Sequence, residues 1–207
     1  MDSTVQGCLK TLESGLCELS LLNQKNQETL KSPSQQLFLL NESIISNAFR
    51  RFENFIENSF LLYLMENKTI TGNPVKSFLR PKDLDHAYEM IKSTQIYIKW
   101  NDANTMRKMS EIYLDDDGFP LKIPIITNLQ TIDEIRIVRN HIAHNSRESE
   151  RSYKNVIIKY YGTMPSNIPG PGELLQKIVE SGTQKKMLLS IYLEKIWDVA
   201  CAISESP

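Results

Sequence analysis

Apolar residues return every three or four positions along most of this chain, and that spacing predicts helices. From Thr4 to Asn23 the stripe is Val5, Leu9, Leu12 and Leu16, continued by Leu19 or Leu22. After a break at Ser32-Pro33 comes the longest pattern: Leu37, Leu40, Ile44, Ile45, Ala48, Phe52, Phe55, Ile56, Ser59, Leu62 and Met65 mark one face of a single long helix. Thr71-Gly72-Asn73-Pro74 is expected to end it. Shorter helices are predicted at about Pro81 to Ile98 and Ala103 to Leu114. The stretch "DDDGFPLKIPI", from Asp115, reads as a loop, because its acidic run, Gly118, Pro120 and Pro124 all disfavour a helix. Thr131 and Glu134 have the spacing of a capping box, so a helix is expected to start there and run to about Asn145, with Ile132, Ile135, Val138 and Ile142 on one side. Tyr160 to Gly172 reads as a long loop, and helices at about Glu173–Ser181 and Thr183–Ser204 close an all-α chain.

Composition narrows the function classes. With 207 residues, 41% of them hydrophobic, the chain can bury a core as one domain. Its 24 Lys and Arg against 25 Asp and Glu leave a net charge of -1. Non-specific binding of nucleic acid through overall charge is therefore excluded, and an anionic partner needs a local patch. Cys8, Cys17 and Cys201 are odd in number and lack metal-site spacing, which fits reduced thiols in the cytoplasm. Neither an export signal nor an apolar run long enough for a membrane is recognisable. Asp115, Asp116 and Asp117 suit a solvated turn better than a calcium loop, which needs ligands at alternate positions and a later glutamate.

The chemistry concentrates in "IRIVRNHIAHNS", Ile135 to Ser146, which holds two of the three histidines. At about 100° per residue, Arg136, Asn140 and His144 fall on one helical stripe, with His141 beside His144 and the isoleucine stripe opposite. Arg139 sits at the edge of the apolar stripe, about 140° from His144, so its head group must extend along the helix to reach the same ligand. Three readings stay open on the residues alone. Cations near a helix C-terminus complement its dipole, worth about 0.3 to 1 kcal/mol each. A guanidinium that forks onto phosphate and an imidazole that titrates near neutrality suit phosphate chemistry, including metal-free RNA cleavage. A metal site would use His141, His144 and Glu148, but it lacks a glutamate between the histidines and has arginines beside it.

The stretch Arg139-Asn140-His141-Ile142-Ala143-His144 resembles the arginine, polar residue, three residues, histidine signature of the HEPN superfamily of ribonucleases and RNA-linked proteins. The order of "FRRFENFIE", then "WNDANTMRKMSEIYLDDDGFP", the motif and "PGELLQKIV" is similar to the RiboL-PSP-HEPN subset, over about Leu37 to the C-terminus. The resemblance implies a HEPN-like up-and-down helical bundle spanning 1–207 as one domain, with 1–32 as an N-terminal helical extension. It implies catalysis by Arg139 and His144 with Asn140 assisting, without metal or other cofactor, leaving a 2′,3′-cyclic phosphate and a 5′-hydroxyl. It also implies a homodimer that brings two motifs together, and a toxin or antiviral-defence effector held by an antitoxin or defence-system partner. Some HEPN toxins carry a modifiable tyrosine where this chain has Ser146, so that route of control is not expected here. The alternative is a silent HEPN interaction module that dimerises or binds a partner protein or RNA.

Several residues are candidates for support. His141 and Arg136 lie beside the motif, and Glu53 or Glu57 would orient Arg139 if the long helix packs on it; their plainer reading is a solvated face with helix-spaced charge pairs. Arg50, Arg51, Arg147, Arg151 and Lys154 are candidate RNA contacts, and with Tyr153, Tyr160 and Tyr161 the last three would form a basic, aromatic lip for a single strand. The alternative for that stretch is an ordinary polar loop. Trp100 and Trp197 are expected to bury, and His86 to serve helix packing or the surface.

Overall fold

The computed structural model describes residues 4–30, 33–93, 97–182 and 184–206. Helix accounts for 70% of the chain and strand for 5%, which makes the protein all-α, as the periodicity predicts. The elements are α1 (Val5–Thr29), α2 (Gln35–Leu64), α3 (Leu84–Lys92), α4 (Ala103–Tyr113), α5 (Asp115–Gly118), α6 (Lys122–Thr127), α7 (Leu129–His144), α8 (Arg147–Tyr161), α9 (Pro171–Leu175), β1 (Ile178–Ser181), β2 (Gln184–Met187) and α10 (Leu188–Ser204). The chain divides into two compact units. One comprises Met1–Ser14, Arg51–Ile132 and Trp197–Pro207; the other comprises Gly15–Arg50 and Asp133–Ile196.

The first unit is built on the C-terminal half of α2. Phe52, Phe55, Ile56 and the whole run Phe60 to Leu64 are buried, so the one-sided stripe becomes an all-round core helix. Phe60 meets Trp100 with ring centroids 5.4 Å apart, and the Tyr63 hydroxyl donates to the Ile203 carbonyl at 3.0 Å. Helix α2 stops at Leu64, before the predicted Thr71 to Pro74. Glu66 takes φ 58, and the Glu66 and Asn67 amides return to the Tyr63 and Leu62 carbonyls, which closes the helix end as a Schellman motif. Asp83 caps α3, which ends at Lys92 rather than continuing to Ile98; residues 94–96 of the predicted span lie outside the described ones. The element α5 is a single left-handed turn, with Asp116 and Asp117 at φ 53 and 54 and Gly118 at φ 80, so the acidic triplet does form a turn. The rest of the predicted loop is not irregular: α6 is helical with Pro124 in its first turn, where a missing amide proton costs no helix bond.

The second unit holds α8, α9, the hairpin and most of α7. Helix α7 starts at Leu129, two residues before Thr131, and the expected capping box does not form. Glu134 is instead buried, and its carboxylate accepts from Lys159 Nζ at 2.5 Å and from the Tyr160 hydroxyl at 3.0 Å. Helix α8 replaces the polar loop weighed for Arg147 to Lys154; Ser146 caps it, with Ser149 completing a reciprocal box. Where a helix at Glu173–Ser181 was expected, α9 is one short turn and an antiparallel hairpin follows, pairing Ile178 with Met187 and Val179 with Lys186. Ser32 and Thr183, at two predicted boundaries, lie outside the described residues. Helix α1 is no appendage: Val5, Leu9 and Leu12 are buried in the first unit and Leu16 in the second, with Leu19, not Leu22, extending the stripe.

Candidate functional site

The motif residues occupy the last turns of α7. Its apolar side is claimed by Ile135 and Val138, at 1% and 0% exposure, which leaves the opposite side for polar groups. The helix ends at His144 because Asn145 adopts φ 42, a left-handed residue that asparagine tolerates, and Ser146 then opens α8. Two residues thus turn the chain between helices. A pocket of about 300 Å³ lies at this corner, lined by Arg136, Ile137, Asn140 and His144 on the α7 side and by Ser146, Glu148, Ser149 and Ser152 on the α8 side. The predicted stripe of Arg136, Asn140 and His144 is therefore one wall.

Arg136, Arg139, Asn140 and His141 have defined partners. Arg136 Nε is 3.2 Å from Asp133 Oδ1, one turn back. Arg139 does not line the pocket; its Nη1 donates to Asn140 Oδ1 at 3.2 Å, which occupies the amide oxygen and leaves the amide NH2 of Asn140 as the group able to donate. His144 is exposed. His141 is half-buried, its ring stacked on Tyr153 with centroids 4.6 Å apart and its Nδ1 3.1 Å from Ser149 Oγ. Burial holds the His141 imidazole below its ordinary pKa, against the opposing pull of Glu150 and Glu42. Lys154 bonds Glu150 at 2.7 Å and lowers that carboxyl. Chemically, the pocket offers an imidazole for proton transfer, an amide donor, a guanidinium and three hydroxyls, of which those of Ser149 and Ser152 are not anticipated by the sequence. Glu148, weighed above only as a metal ligand, is a carboxylate that works against an anionic ligand. The sequence signal for Ser149 is its capping distance from Ser146.

Other candidates fall elsewhere. Glu53 and Glu57 belong to the first unit and do not line this pocket; burial raises the Glu57 carboxyl, with the Trp100 indole opposing. Arg51 lines a separate pocket of about 130 Å³ with Thr11, Asn54 and Asn58, and Arg50 donates to Asn47 Oδ1 at 2.8 Å. Arg147 and Arg151 are exposed on α8 and Lys154 is paired, but the expected aromatic lip does not form. Tyr153 is 1% exposed and donates to the Pro169 carbonyl, Tyr160 is engaged by Glu134, and Tyr161 lies under Lys177 at 3.9 Å. Trp100 is buried as expected, Trp197 half-buried, and His86 accepts from the Lys82 amide at the start of α3.

His141, His144 and Glu148 do not converge as metal ligands, and among the described residues no group of three His, Cys, Asp or Glu does. No described helix is long and apolar enough to cross a membrane. No protein-family model, curated protein or solved structure matches the chain.

Proposed function

We propose that the chain is a HEPN-type, metal-independent endoribonuclease of the cytoplasm, working as a homodimer in a toxin or antiviral-defence role under a partner protein's control. The observation that carries this reading is the pocket itself, in which Arg136, Asn140 and the exposed His144 share one wall while Arg139 orders the Asn140 amide. In the proposed reaction His144 takes the proton of a 2′-hydroxyl, and that oxygen attacks the adjacent phosphorus. The P–O5′ bond breaks, leaving a 2′,3′-cyclic phosphate. The departing O5′ requires a proton, and His144 of a second copy supplies it across a two-fold axis. Arginine and the Asn140 amide stabilise charge on the phosphorane oxygens.

A second reading is favoured by one specific observation. Glu148 lines the same pocket, and Arg136 is already paired with Asp133. That arrangement suits a silent module that dimerises or binds a partner. The deciding experiment is cleavage of a labelled single-stranded RNA in excess EDTA by wild type, His144→Ala and Arg139→Ala, each first confirmed folded and weighed in solution. The nuclease reading expects a mass near twice 23.8 kDa, cyclic-phosphate ends, and losses on the order of 100-fold or more in both variants. A folded wild type that cuts nothing selects the module.

A further inference from the structure

We propose that His141 is a positioning residue: its Nδ1–H donates to Ser149 Oγ and thereby fixes the Ser146–Ser149 wall of the pocket relative to His144 and Asn140. Its kinetic consequence rests on the nuclease reading; the hydrogen bond itself rests on geometry.

The geometry is an accounting of one proton. Ser149 Oγ lies 2.9 Å from the Ser146 amide nitrogen, 2.9 Å from the Ser146 carbonyl oxygen and 3.1 Å from His141 Nδ1. A carbonyl cannot donate, so the short contact between the two oxygens must contain the serine's own hydroxyl hydrogen. The hydroxyl is then spent as a donor. Its lone pairs then face the Ser146 amide, His141 and, at 3.3 Å, the Ser146 hydroxyl, an arrangement that calls for the His141 proton on Nδ1. The imidazole cannot easily turn away, because it stacks on the buried Tyr153, itself anchored to the Pro169 carbonyl at 3.0 Å. Because only Asn145 and Ser146 join α7 to α8, this bond is a side-chain stitch beside the corner, far along both helices from the Glu134 contacts with Lys159 and Tyr160. Both Ser146 and Ser149 line the pocket, whereas His141 does not.

Losing the stitch leaves the reciprocal cap of α8 intact, since Ser146 Oγ still accepts the Ser149 amide. Stability therefore changes little while the pocket wall is released. Asparagine places an amide NH2 near the position of Nδ1, whereas glutamine places its own one bond further out. Both lose the ring stacking on Tyr153, so comparing them isolates the hydrogen bond.

The test uses the full chain as wild type, His141→Asn and His141→Gln. Urea midpoints, kcat and KM for RNA cleavage in EDTA, and NMR of the histidine rings are measured. The expected result is equal midpoints for the two variants, His141→Asn within about threefold of wild-type kcat, and His141→Gln lowered by about 10- to 100-fold in kcat with KM nearly unchanged. His144 ring signals should shift in His141→Gln and not in His141→Asn, and the wild-type His141 nitrogens should show the Nδ1–H tautomer. Equal kcat in the two variants, or an Nε2–H tautomer, overturns the proposal. If wild type cuts no RNA, the nuclease reading falls and NMR alone decides: displaced His144 signals in His141→Gln uphold the positioning, and unchanged ones overturn it.

Discussion

Glu134 shows how a single side chain can change role between sequence and structure. Its spacing from Thr131 suggests a capping glutamate, yet the carboxylate is 6% exposed and ends a chain of donors in which Tyr192 bonds Tyr160 at 3.4 Å and Tyr160 bonds Glu134. Burial raises Tyr160 to about 12 and lifts Tyr192 well above its ordinary value, so both phenols keep their protons at neutral pH and can donate. Removing the acceptor from this chain is the costly change. Glu134→Ala is expected to cost about 2 to 4 kcal/mol. Lys159→Ala should cost less than about 1 kcal/mol, because the lysine is 42% exposed and its pairing is screened by water. Urea unfolding checks both; equal losses would refute the ordering. His141 makes a pH prediction. Its folded pKa lies below the ordinary 6.5 through burial, so the unfolded chain takes up the proton first as pH falls. The contribution is complete above about 6.5 and is lost as pH drops through the folded value, so the stability difference between wild type and His141→Asn should shrink from pH 8 to pH 5. A difference that grows toward acid would mean the histidine is held as a cation.

At the scale of elements, close approach of backbones decides more than propensity does. A Cβ on Gly172 would lie 2.2 Å from the Phe38 carbonyl oxygen and 2.6 Å from its carbon, so α9 rests directly on α2. The contact is clamped on both sides: Asn41 donates to the Gly172 carbonyl, and Glu42 accepts its amide at 3.0 Å. Backbone atoms cannot swing aside as a flexible side chain would, so Gly172→Ala should cost about 3 kcal/mol or more. A urea midpoint within error of wild type would show that α9 has room to move. The same scale explains what the sequence made legible. Helices α1, α2 and α4 were readable because each buries a periodic stripe, and the stripe survives whatever packs on it. Helix α8 was hidden because "RESERSYKN" is charged or polar at every position but Tyr153, with Tyr153, Val156 and Ile157 carrying its burial. The hairpin was hidden because "QKKM" is too polar and too short for alternation to register. In the pocket, the α7 wall followed from helical geometry alone. The α8 wall did not, because it depends on the left-handed turn at Asn145, which no periodicity encodes.

For the whole molecule, charge sets how any RNA can be held. A net charge of -1 creates no long-range attraction, and near the pocket Arg136, Arg147 and Arg151 are set against Asp133, Glu148 and Glu150. A chain of this kind displaces few counterions when it binds. If roughly two phosphates are neutralised, log affinity for a single strand should fall with log salt at a slope of about -1.4. In the proposed nuclease, recognition would then depend on fit at the corner between α7 and α8, and a site shared by two copies would gain importance because neither could rely on electrostatic capture. The measurement is fluorescence anisotropy of labelled RNA on His144→Ala, in EDTA, across a range of salt. A slope shallower than about -2 agrees with local capture. A slope of about -4 or steeper would require a broad basic surface that the composition does not provide. Replacing Glu148 with glutamine gives the control, because it removes a negative charge from the pocket wall without adding a positive one. Binding should tighten by about fivefold, the scale of one screened charge interaction near 1 kcal/mol. No change would place the phosphate away from this wall and count against the pocket as the RNA site.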